Sequence, residues 1–566
     1  MNEYRISFNP ADGPCEALAK ALKKRIEARW DTAVSFGTPA DLTLEYVDGH
    51  RFGMIEKTET GYLLRGTQAP DLWNMAGRLL RSVPTGGDFR PAPKTGIFKT
   101  EKELCGMYFA THFHNFYHSA PLPQIFEYIE DLALWGMEAL AVWFDMHHYT
   151  GMDDPEAVAM ATRLKAVLNY AKSLGLKKMM TTLANEGFSS TPDENKATNA
   201  VQNGYYLKPD GFYHTEVCPH TEGGMELILK NRAEMLDVFE ELEPDYFTVW
   251  PYDQGGCTCE QCAPWGSNGF LKVAKAEAEL IKKRLPNAKI ILSTWYFGEF
   301  YRGNTEWDGF YKALYAGELD FADMIMADFP AKYPQYPLTH ESDKPLVSFN
   351  EFSMYGATPW GGYGANPMPA HIREQWTDAG QKLSGGMPYS EGIFEDINKA
   401  ITLQLFRNGR DPYETVREYL RYECYMAEED LDKGVELIRA LEQGLCRDAF
   451  GFQQAEKEVR LHDPSAAEGA EALAIELNEA LNEAGRNAIK WKQILLRAQI
   501  DAELVRNQNR ITERAMDFFE ILDKLYHTGN SKTSAIRPFC REHIALNEGR
   551  VARPTWKPAP IFWWEQ

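Results

Sequence analysis

The sequence predicts an α/β protein in which a (β/α)8 TIM barrel follows a small α/β domain and precedes an α-helical C-terminal region. Three features of the 566 residues support this class. Residues 1–95 mix strand and helix patterns, residues 104–422 repeat strand-then-helix units, and residues 423–566 show helical periodicity alone. We therefore expect three domains with these boundaries. The middle one is long enough for a barrel of about 250 residues with extended loops.

The first domain combines alternating strands with two amphipathic helices. The predicted strands are Tyr4–Phe8, Leu42–Val47 and Tyr62–Gly66, and the predicted helices are Cys15–Trp30 and Asp71–Ser82. Prolines and glycines between Pro84 and Pro93 then predict a linker.

The middle segment contains eight short apolar runs, most of them separated by amphipathic helices. The predicted strands are Gly106–Ala110, Ala139–Phe144, Lys178–Leu183, Tyr246–Trp250, Ile290–Trp295, Met324–Ala327, Leu346–Phe349 and Gly386–Tyr389. The predicted helices include Pro123–Trp135, Pro155–Leu174, Met225–Leu242 and Leu271–Leu285. A doubly wound sheet is the alternative, but the glycine-rich phosphate loop usual after its first strand is missing from this sequence. The pattern therefore favours a barrel.

The C-terminal region contains two helical stretches, Ser465–Arg506 and Ile511–Tyr526. The final segment, Arg553–Gln566, is rich in Pro and Trp and is expected to pack on the body of the protein or on a partner subunit. These helices are also the candidate interface of a homo-oligomer.

Charge and composition limit the classes of partner. Acidic residues number 82 against 60 basic ones, so the formal net charge is −22 and we expect neither nucleic acid nor an anionic membrane as a partner. The first residues, MNEYRISFNP, lack the basic and apolar regions of a secretory signal, which predicts a cytoplasmic protein. Aromatic residues make up 13% of the chain, which fits either a large core or a sugar-binding cleft.

The ends of the predicted strands carry the chemistry, because barrel enzymes place their active sites there. Carboxylates and aromatic rings recur at these ends, as a sugar site requires. The expected substrate-binding residues are His112, His114, Trp143, Asp145, His147, Trp250, Tyr252, Trp295, Tyr296 and Tyr389. Cleavage of a glycosidic bond also needs two carboxyl groups that flank it. These features together predict a glycoside hydrolase.

The predicted catalytic pair is Asp253 and Glu351, which follow the fourth and seventh strands on opposite sides of the barrel mouth. Asp253 is the expected general acid and Glu351 the expected nucleophile or base. Glu391, after the eighth strand, is the nearest competitor.

Three cysteines form a C-x-C-x2-C motif, Cys257, Cys259 and Cys262, in the loop after the fourth strand. Cys218, in the loop after the third strand, is the expected fourth ligand, with His214 and His220 as substitutes. Four thiolates suit a structural Zn²⁺ site, which would brace loops and leave no position open for catalysis. Free thiols, a disulfide, a catalytic zinc or a nucleophilic cysteine are the alternatives.

Several segments resemble known glycosidases. The stretch TLEYVDGHRFGMIEKTETGYLLRGTQAPDLWNMAGRLLRS resembles the non-catalytic α/β domain that precedes the barrel in β-N-acetylhexosaminidases and α-glucuronidases. The segments EVCPH, VWPYDQGGCTCEQC and YSEGIFEDINKAITLQLFRNGRDPYETVREYLRYE resemble bacterial endo-β-N-acetylglucosaminidases and their relatives. The resemblance covers roughly residues 1–430 and implies a β-N-acetylhexosaminide or a uronic acid glycoside as substrate.

One departure bears on the mechanism. Hexosaminidases that use the substrate's acetamido group carry an adjacent Asp-Glu pair after the fourth strand, whereas Gln254 follows Asp253 here. A uronate would require a cation such as Arg302 or Lys332 near the strand ends. Two other functions stay open: a metal-dependent lyase or isomerase with His112, His114, His147 and His148 as ligands, and a carbohydrate-binding protein without catalysis.

Overall fold

A computed structural model describes most of the chain. The described residues are 2–84, 86–111, 116–198, 215–252, 256–298, 301, 303–329, 333–351, 366–390, 392–444, 464–508 and 512–526. Within these residues, no helix has the length and apolarity needed to cross a membrane.

The N-terminal domain is a six-stranded mixed sheet with two helices packed on it. Its strands are β1 (Asn2–Ser7), β2 (Thr32–Phe36), β3 (Leu42–Tyr46), β4 (Phe52–Lys57), β5 (Tyr62–Gly66) and β6 (Gly96–Lys99), in the order β2-β1-β3-β5-β4-β6. Its helices are α1 (Gly13–Arg29) and α2 (Ala69–Arg81). The sheet extends past the predicted boundary at residue 95, because β6 pairs antiparallel with β4.

The middle domain is a closed barrel of parallel strands, as predicted. Its strands are β7 (Leu104–Phe109), β8 (Ala139–Trp143), β9 (Lys177–Leu183), β10 (Tyr246–Trp250), β11 (Lys289–Ser293), β12 (Met324–Phe329), β13 (Leu346–Asn350), β14 (Leu383–Gly386) and β15 (Tyr389–Ser390). From β7 to β14 each strand pairs with the next, and both β14 and β15 pair with β7 to close the barrel.

The eighth strand differs from its prediction, because it is divided into β14 and β15 within the predicted range Gly386–Tyr389. Gly385 has φ +114, and a Cβ there would lie 1.9 Å from the carbonyl oxygen of Leu104. This close approach needs glycine, and it turns the chain out of regular pairing before Tyr389 joins β7.

The helices of the barrel pack outside its strands. They are α3 (Phe116–Ser119), α4 (Leu122–Leu134), α5 (Pro155–Ser173), α6 (Gly224–Phe239), α7 (Gly269–Arg284), α8 (Thr305–Tyr315), α9 (Gln335–Thr339), α10 (Pro369–Ala379) and α11 (Asp396–Asn408). Further helices follow: α12 (Pro412–Glu423), α13 (Leu431–Gly444), α14 (Ala467–Ala480), α15 (Glu483–Asn487), α16 (Ile489–Arg506) and α17 (Glu513–Tyr526). The predicted stretch Ser465–Arg506 is thus three helices, and Arg553–Gln566 lies outside the described residues.

The small domain contacts the barrel closely through α2. A Cβ on Gly77 would lie 1.9 Å from the carbonyl oxygen of Leu134, so the backbones of α2 and α4 nearly touch. Beside this contact, Nη1 of Arg407 donates to Oδ1 of Asp71 at 2.9 Å and Nε donates to the carbonyl of Gly136 at 2.7 Å. Both side chains of this ion pair are 1% exposed. The junction therefore joins the two domains by close packing and by a buried ion pair.

Candidate active site

Five aromatic side chains meet at the C-terminal end of the barrel. Phe349 of β13 is at the centre, with ring centroids 4.7 Å from Trp250, 5.5 Å from Trp295, 5.6 Å from Tyr108 and 5.7 Å from Tyr389. These residues come from β7, β10, β13, β15 and the segment after β11, so they span the barrel. We call this group the aromatic floor. It has the rings against which the apolar face of a sugar can stack.

Three of the predicted substrate-binding residues, Trp250, Trp295 and Tyr389, belong to this floor. Phe349 and Tyr108 were not predicted, because they read as ordinary core residues within their strands. The usable signal was their position near the ends of predicted strands.

A second group of polar side chains follows β8 and β9. Oε1 of Glu186 lies 2.7 Å from Nδ1 of His147, and Nε1 of Trp143 donates to Oε2 of Glu186 at 3.2 Å. Nε2 of His148 lies 3.1 Å from Oδ2 of Asp145. We call these residues the acid–histidine cluster. It brings together the predicted residues Trp143, Asp145 and His147.

Burial controls the protonation of this cluster. Burial raises the pKa of Glu186 to about 8, and the charge of Asp145 adds to this effect, while Arg232 opposes it. Burial also lowers the pKa of His147 far below its usual value. The pKa of His148 is raised instead, because the attraction and hydrogen bond of Asp145 outweigh the opposing effect of burial. At neutral pH, Glu186 therefore holds a proton and His147 is neutral.

Asp145 has an oxygen available for a ligand. Its Oδ2 is engaged by His148, whereas its buried Oδ1 has no hydrogen-bond partner among the described residues. A buried carboxylate oxygen of this kind can accept a hydrogen bond from a sugar hydroxyl.

Glu351 lies directly after β13, where it forms a parallel bridge with Tyr389 of the aromatic floor. The preceding residue is held in place, because Oγ of Ser348 donates to Oδ1 of Asn350 at 2.8 Å and Nδ2 of Asn350 donates to Gln375 at 3.2 Å. The predicted catalytic carboxyl Glu351 is thus at the barrel mouth and next to a floor residue.

Tyr296 lies beside the floor in an unusual backbone conformation. Its φ is +59, in the left-handed region, and its ring centroid is 5.0 Å from that of Trp295. A bulky residue there costs about 1–3 kcal/mol, and such strain is frequent at functional sites.

The structure corrects the prediction for Tyr252. Its side chain is completely buried, and its hydroxyl donates to Glu306. Glu306 also accepts from the backbone N–H of Gly266 at 2.8 Å and of Gly298 at 3.1 Å. Tyr252 therefore anchors the loop after β10 instead of facing a substrate. The sequence could not indicate this contact, because Glu306 belongs to α8 and is 54 residues further along the chain.

Among the residues that the structure describes, two groups of side chains could hold a metal ion. The sulfur atoms of Cys218, Cys257, Cys259 and Cys262 lie within 4.8 Å of one another, as do ligand atoms of Asp145, His147 and His148. The predicted residues Asp253, Glu391, His112 and His114 lie outside the described residues.

Comparisons with solved structures support the fold. A family 89 glycoside hydrolase from Clostridium perfringens, in complex with 2-acetamido-1,2-dideoxynojirmycin, has a TM-score of 0.59 at 12% identity, over 91% of this chain and 64% of that chain. The complex of that organism's enzyme with its substrate GlcNAc-alpha-1,4-galactose has a TM-score of 0.58 at 11% identity over the same shares. A GH138 enzyme targeting pectin rhamnogalacturonan II has a TM-score of 0.55 at 9% identity, over 93% of this chain and 72% of that chain.

In sequence, no protein-family model and no curated protein matches the chain. The chain spans 64% of the length of the two family 89 structures. At identities of 9–12% the similarity establishes the fold: a barrel preceded by a small α/β domain, shared with glycoside hydrolases.

Proposed function

We propose that this protein is a glycoside hydrolase that cleaves small oligosaccharides or glycoconjugates with a pair of carboxylates. One observation carries the proposal: the aromatic floor lies at the C-terminal end of the barrel with Glu351 beside it. A cluster of aromatic rings next to a carboxyl group suits a pyranose ring whose anomeric carbon must be attacked or activated. The fold shared with glycoside hydrolases supports the same proposal.

The proposed substrate is an N-acetylhexosaminide, with a uronic acid glycoside as the second class. Support for the first comes from the family 89 enzyme, whose substrate is GlcNAc-alpha-1,4-galactose. Both anomers of GlcNAc and GalNAc glycosides therefore belong in the first assay. Since Gln254 replaces the second acid of the usual Asp-Glu pair, we propose direct carboxylate catalysis without help from the acetamido group.

In this mechanism Asp253 protonates the leaving oxygen and Glu351 acts on the other face of the sugar. Glu351 serves as the nucleophile if the anomeric configuration is retained, or as the base that activates water if it is inverted. The sugar ring rests on the aromatic floor, and Asp145 of the acid–histidine cluster accepts a hydrogen bond from a hydroxyl group.

The first experiment compares wild type, Asp253→Asn, Glu351→Gln and Glu391→Gln on nitrophenyl glycosides and on disaccharides. Glu351→Gln should lower kcat about 10³-fold on both substrate types. Asp253→Asn should lower it more on the disaccharide, because a nitrophenolate leaves without a proton. Glu374→Gln, an exposed carboxyl on α10, is the matched control and should keep full activity.

Other outcomes would change the assignment. A loss in Glu391→Gln together with full activity in Glu351→Gln would move the catalytic role to Glu391. No hydrolysis of any glycoside by the wild type would contradict the proposal and favour a carbohydrate-binding protein.

A second candidate function rests on Asp145, His147 and His148, whose ligand atoms lie within 4.8 Å of one another. These residues would hold a catalytic metal in a lyase or isomerase. Two of these atoms already face each other at 3.1 Å, Nε2 of His148 and Oδ2 of Asp145, so a metal would have to replace that contact. Activity that disappears with a chelator and in His148→Ala, but persists in Cys259→Ser, would favour this function.

A further inference from the structure

Four cysteine sulfurs from two separate segments lie together beside the barrel. All of them are within 4.8 Å of one another, and Sγ of Cys218 is 3.8 Å from Sγ of Cys259. In a tetrahedral zinc site with Zn–S bonds of about 2.3 Å, neighbouring sulfurs are separated by about 3.8 Å. We propose that Cys218, Cys257, Cys259 and Cys262 bind one Zn²⁺ ion as a closed four-thiolate site.

The spacing of the sulfurs does not fit a disulfide. A disulfide joins two sulfurs at about 2.05 Å, far shorter than the 3.8 Å between Cys218 and Cys259. The four cysteines also differ from the other buried cysteines, such as Cys15 in α1, Cys105 in β7 and Cys424 directly after α12, which are scattered through the fold. Convergence of four thiols from positions 218 and 257–262 is the arrangement that a tetrahedral thiophilic metal requires.

A hydroxyl group lies against the sulfurs. Oγ1 of Thr198 is 3.8 Å from Sγ of Cys257, within hydrogen-bonding distance for sulfur. Four thiolates around one Zn²⁺ carry an excess of two negative charges. Hydrogen bonds to the sulfurs spread this charge and hold the ligands in place, as outer-shell contacts of metal sites do.

The first segment of the site is attached to the end of β9. The N–H of Val217 donates to the carbonyl of Asn185 at 2.7 Å, and the N–H of Cys218 donates to the carbonyl of Asn195 at 2.8 Å. Two residues before Cys218, the backbone of Glu216 bridges to that of Glu186. The segment that carries Cys218 is therefore paired with the segment that carries Glu186 of the acid–histidine cluster.

The second segment lies between β10 and α7, in the loop that contains Asp253. On one side of residues 253–255, Tyr252 is anchored on Glu306. On the other side, Cys257 belongs to the thiolate site. A bound zinc therefore fixes this loop to the loop after β9. All four ligands are protein thiolates, so the ion has no open position and braces the loops without taking part in a reaction.

The test measures zinc in the purified full-length chain by plasma mass spectrometry, after dialysis against a chelator of moderate strength. We expect about one zinc per wild-type chain and at least about a tenfold lower content in Cys218→Ser and in Cys259→Ser. Cys15→Ser, a buried cysteine of the small domain, is the matched control and should keep the zinc. Zinc content that is equal in wild type and Cys218→Ser would overturn the proposal.

X-ray absorption at the zinc edge of the wild type keeps the test valid if the serine variants do not fold. Four sulfur neighbours at about 2.3 Å are expected. Nitrogen or oxygen neighbours, iron in place of zinc, or a disulfide among these cysteines detected by mass spectrometry without reduction would contradict the assignment. None of these readouts requires glycosidase activity, so failure of the proposed function leaves the zinc test intact.

Discussion

Two glutamates at opposite ends of the barrel show how its two faces differ. Glu138, just before β8, and Glu186, just after β9, are both buried, at 0% and 1% exposure. Burial raises the pKa of each, but at Glu138 the charges of Arg407, Lys177 and Arg51 outweigh burial and lower the pKa. At Glu186 burial prevails and the pKa rises to about 8.

The two pKa values differ because cations surround the carboxyl group of Glu138 but not that of Glu186. Lys177 Nζ lies 3.3 Å and Arg407 Nη2 3.6 Å from the Glu138 carboxyl, and Arg51 also pairs with it. Glu186 is instead bonded to neutral groups of His147 and Trp143. Glu216, next to it, also has its pKa raised to about 8 by burial. The comparison teaches that nearby cations keep the buried Glu138 carboxylate charged, whereas burial without such cations keeps Glu186 protonated at the mouth. Carboxyl groups with perturbed pKa values are typical of functional sites.

The largest effect on stability should come from the end of the barrel that contains Glu138 and its cations. Arg407→Ala leaves Asp71 and Glu138 buried without this cation, so we expect a loss of about 3–5 kcal/mol in the free energy of unfolding. Arg90→Ala removes an arginine whose side chain is 78% exposed and should change stability by less than about 0.5 kcal/mol. Chemical denaturation measures both. A loss below about 1 kcal/mol in Arg407→Ala would show that the ion pair does not hold the junction.

The pH dependence of stability should separate the two glutamates by sign. In wild type, native Glu186 stays protonated while its unfolded form ionises above pH 4.5, so its stabilising contribution is lost as pH rises toward about 8. In wild type we expect the free energy of unfolding to fall by roughly 1 kcal/mol per pH unit in this range. Glu186→Gln should remove this fall. Glu138 has the opposite sign: its contribution is present above pH 4.5 and is lost as pH falls.

The matched variant is Glu138→Gln, which should lose most stability at neutral pH and least in acid. Denaturation midpoints of Glu138→Gln and Glu186→Gln between pH 4 and 8.5 would test both predictions. If the stability of the two variants changed with pH in the same way, the proposed difference between Glu138 and Glu186 would be refuted.

The smallest expected effect concerns the strained residue at the mouth. Tyr296→Gly relieves a left-handed conformation, so it should be about 1 kcal/mol more stable than Tyr296→Ala, which keeps the strain. Both variants remove the ring beside Trp295 and should raise KM for a glycoside several-fold. Equal stability of the two variants would show that the backbone is not strained, and unchanged KM would exclude the ring from substrate binding.

Most of the fold could be predicted because barrel strands are buried on both sides and read as apolar runs. Three strands of the small domain escaped prediction: β2 directly follows a helix, β4 ends in Glu56 and Lys57, and β6 has four residues, three of them exposed. The break between α14 and α15 was also missed, because Asn482 begins α15 by accepting from the N–H of Gly485, without a proline to mark it.

The site was predicted where neighbouring strands determine proximity. Cys218 could be matched to the C-x-C-x2-C motif because loops after adjacent strands meet, and the structure places it there. Tyr252 was misplaced because the direction of a loop after a strand end depends on distant contacts, here with Glu306. The raised pKa of Glu186 and the lowered pKa of His147 were not predicted, because burial in the folded structure causes both shifts.

The near-contact between Gly77 and Leu134 has a consequence for how this architecture can be recombined. A small domain taken from another protein would need a residue without a side chain at that position and an acid to meet Arg407. Residues on both sides of the junction must therefore be inherited together. We expect chimaeras divided at residues 84–95 to fail in folding unless α2, α4 and α11 come from one parent.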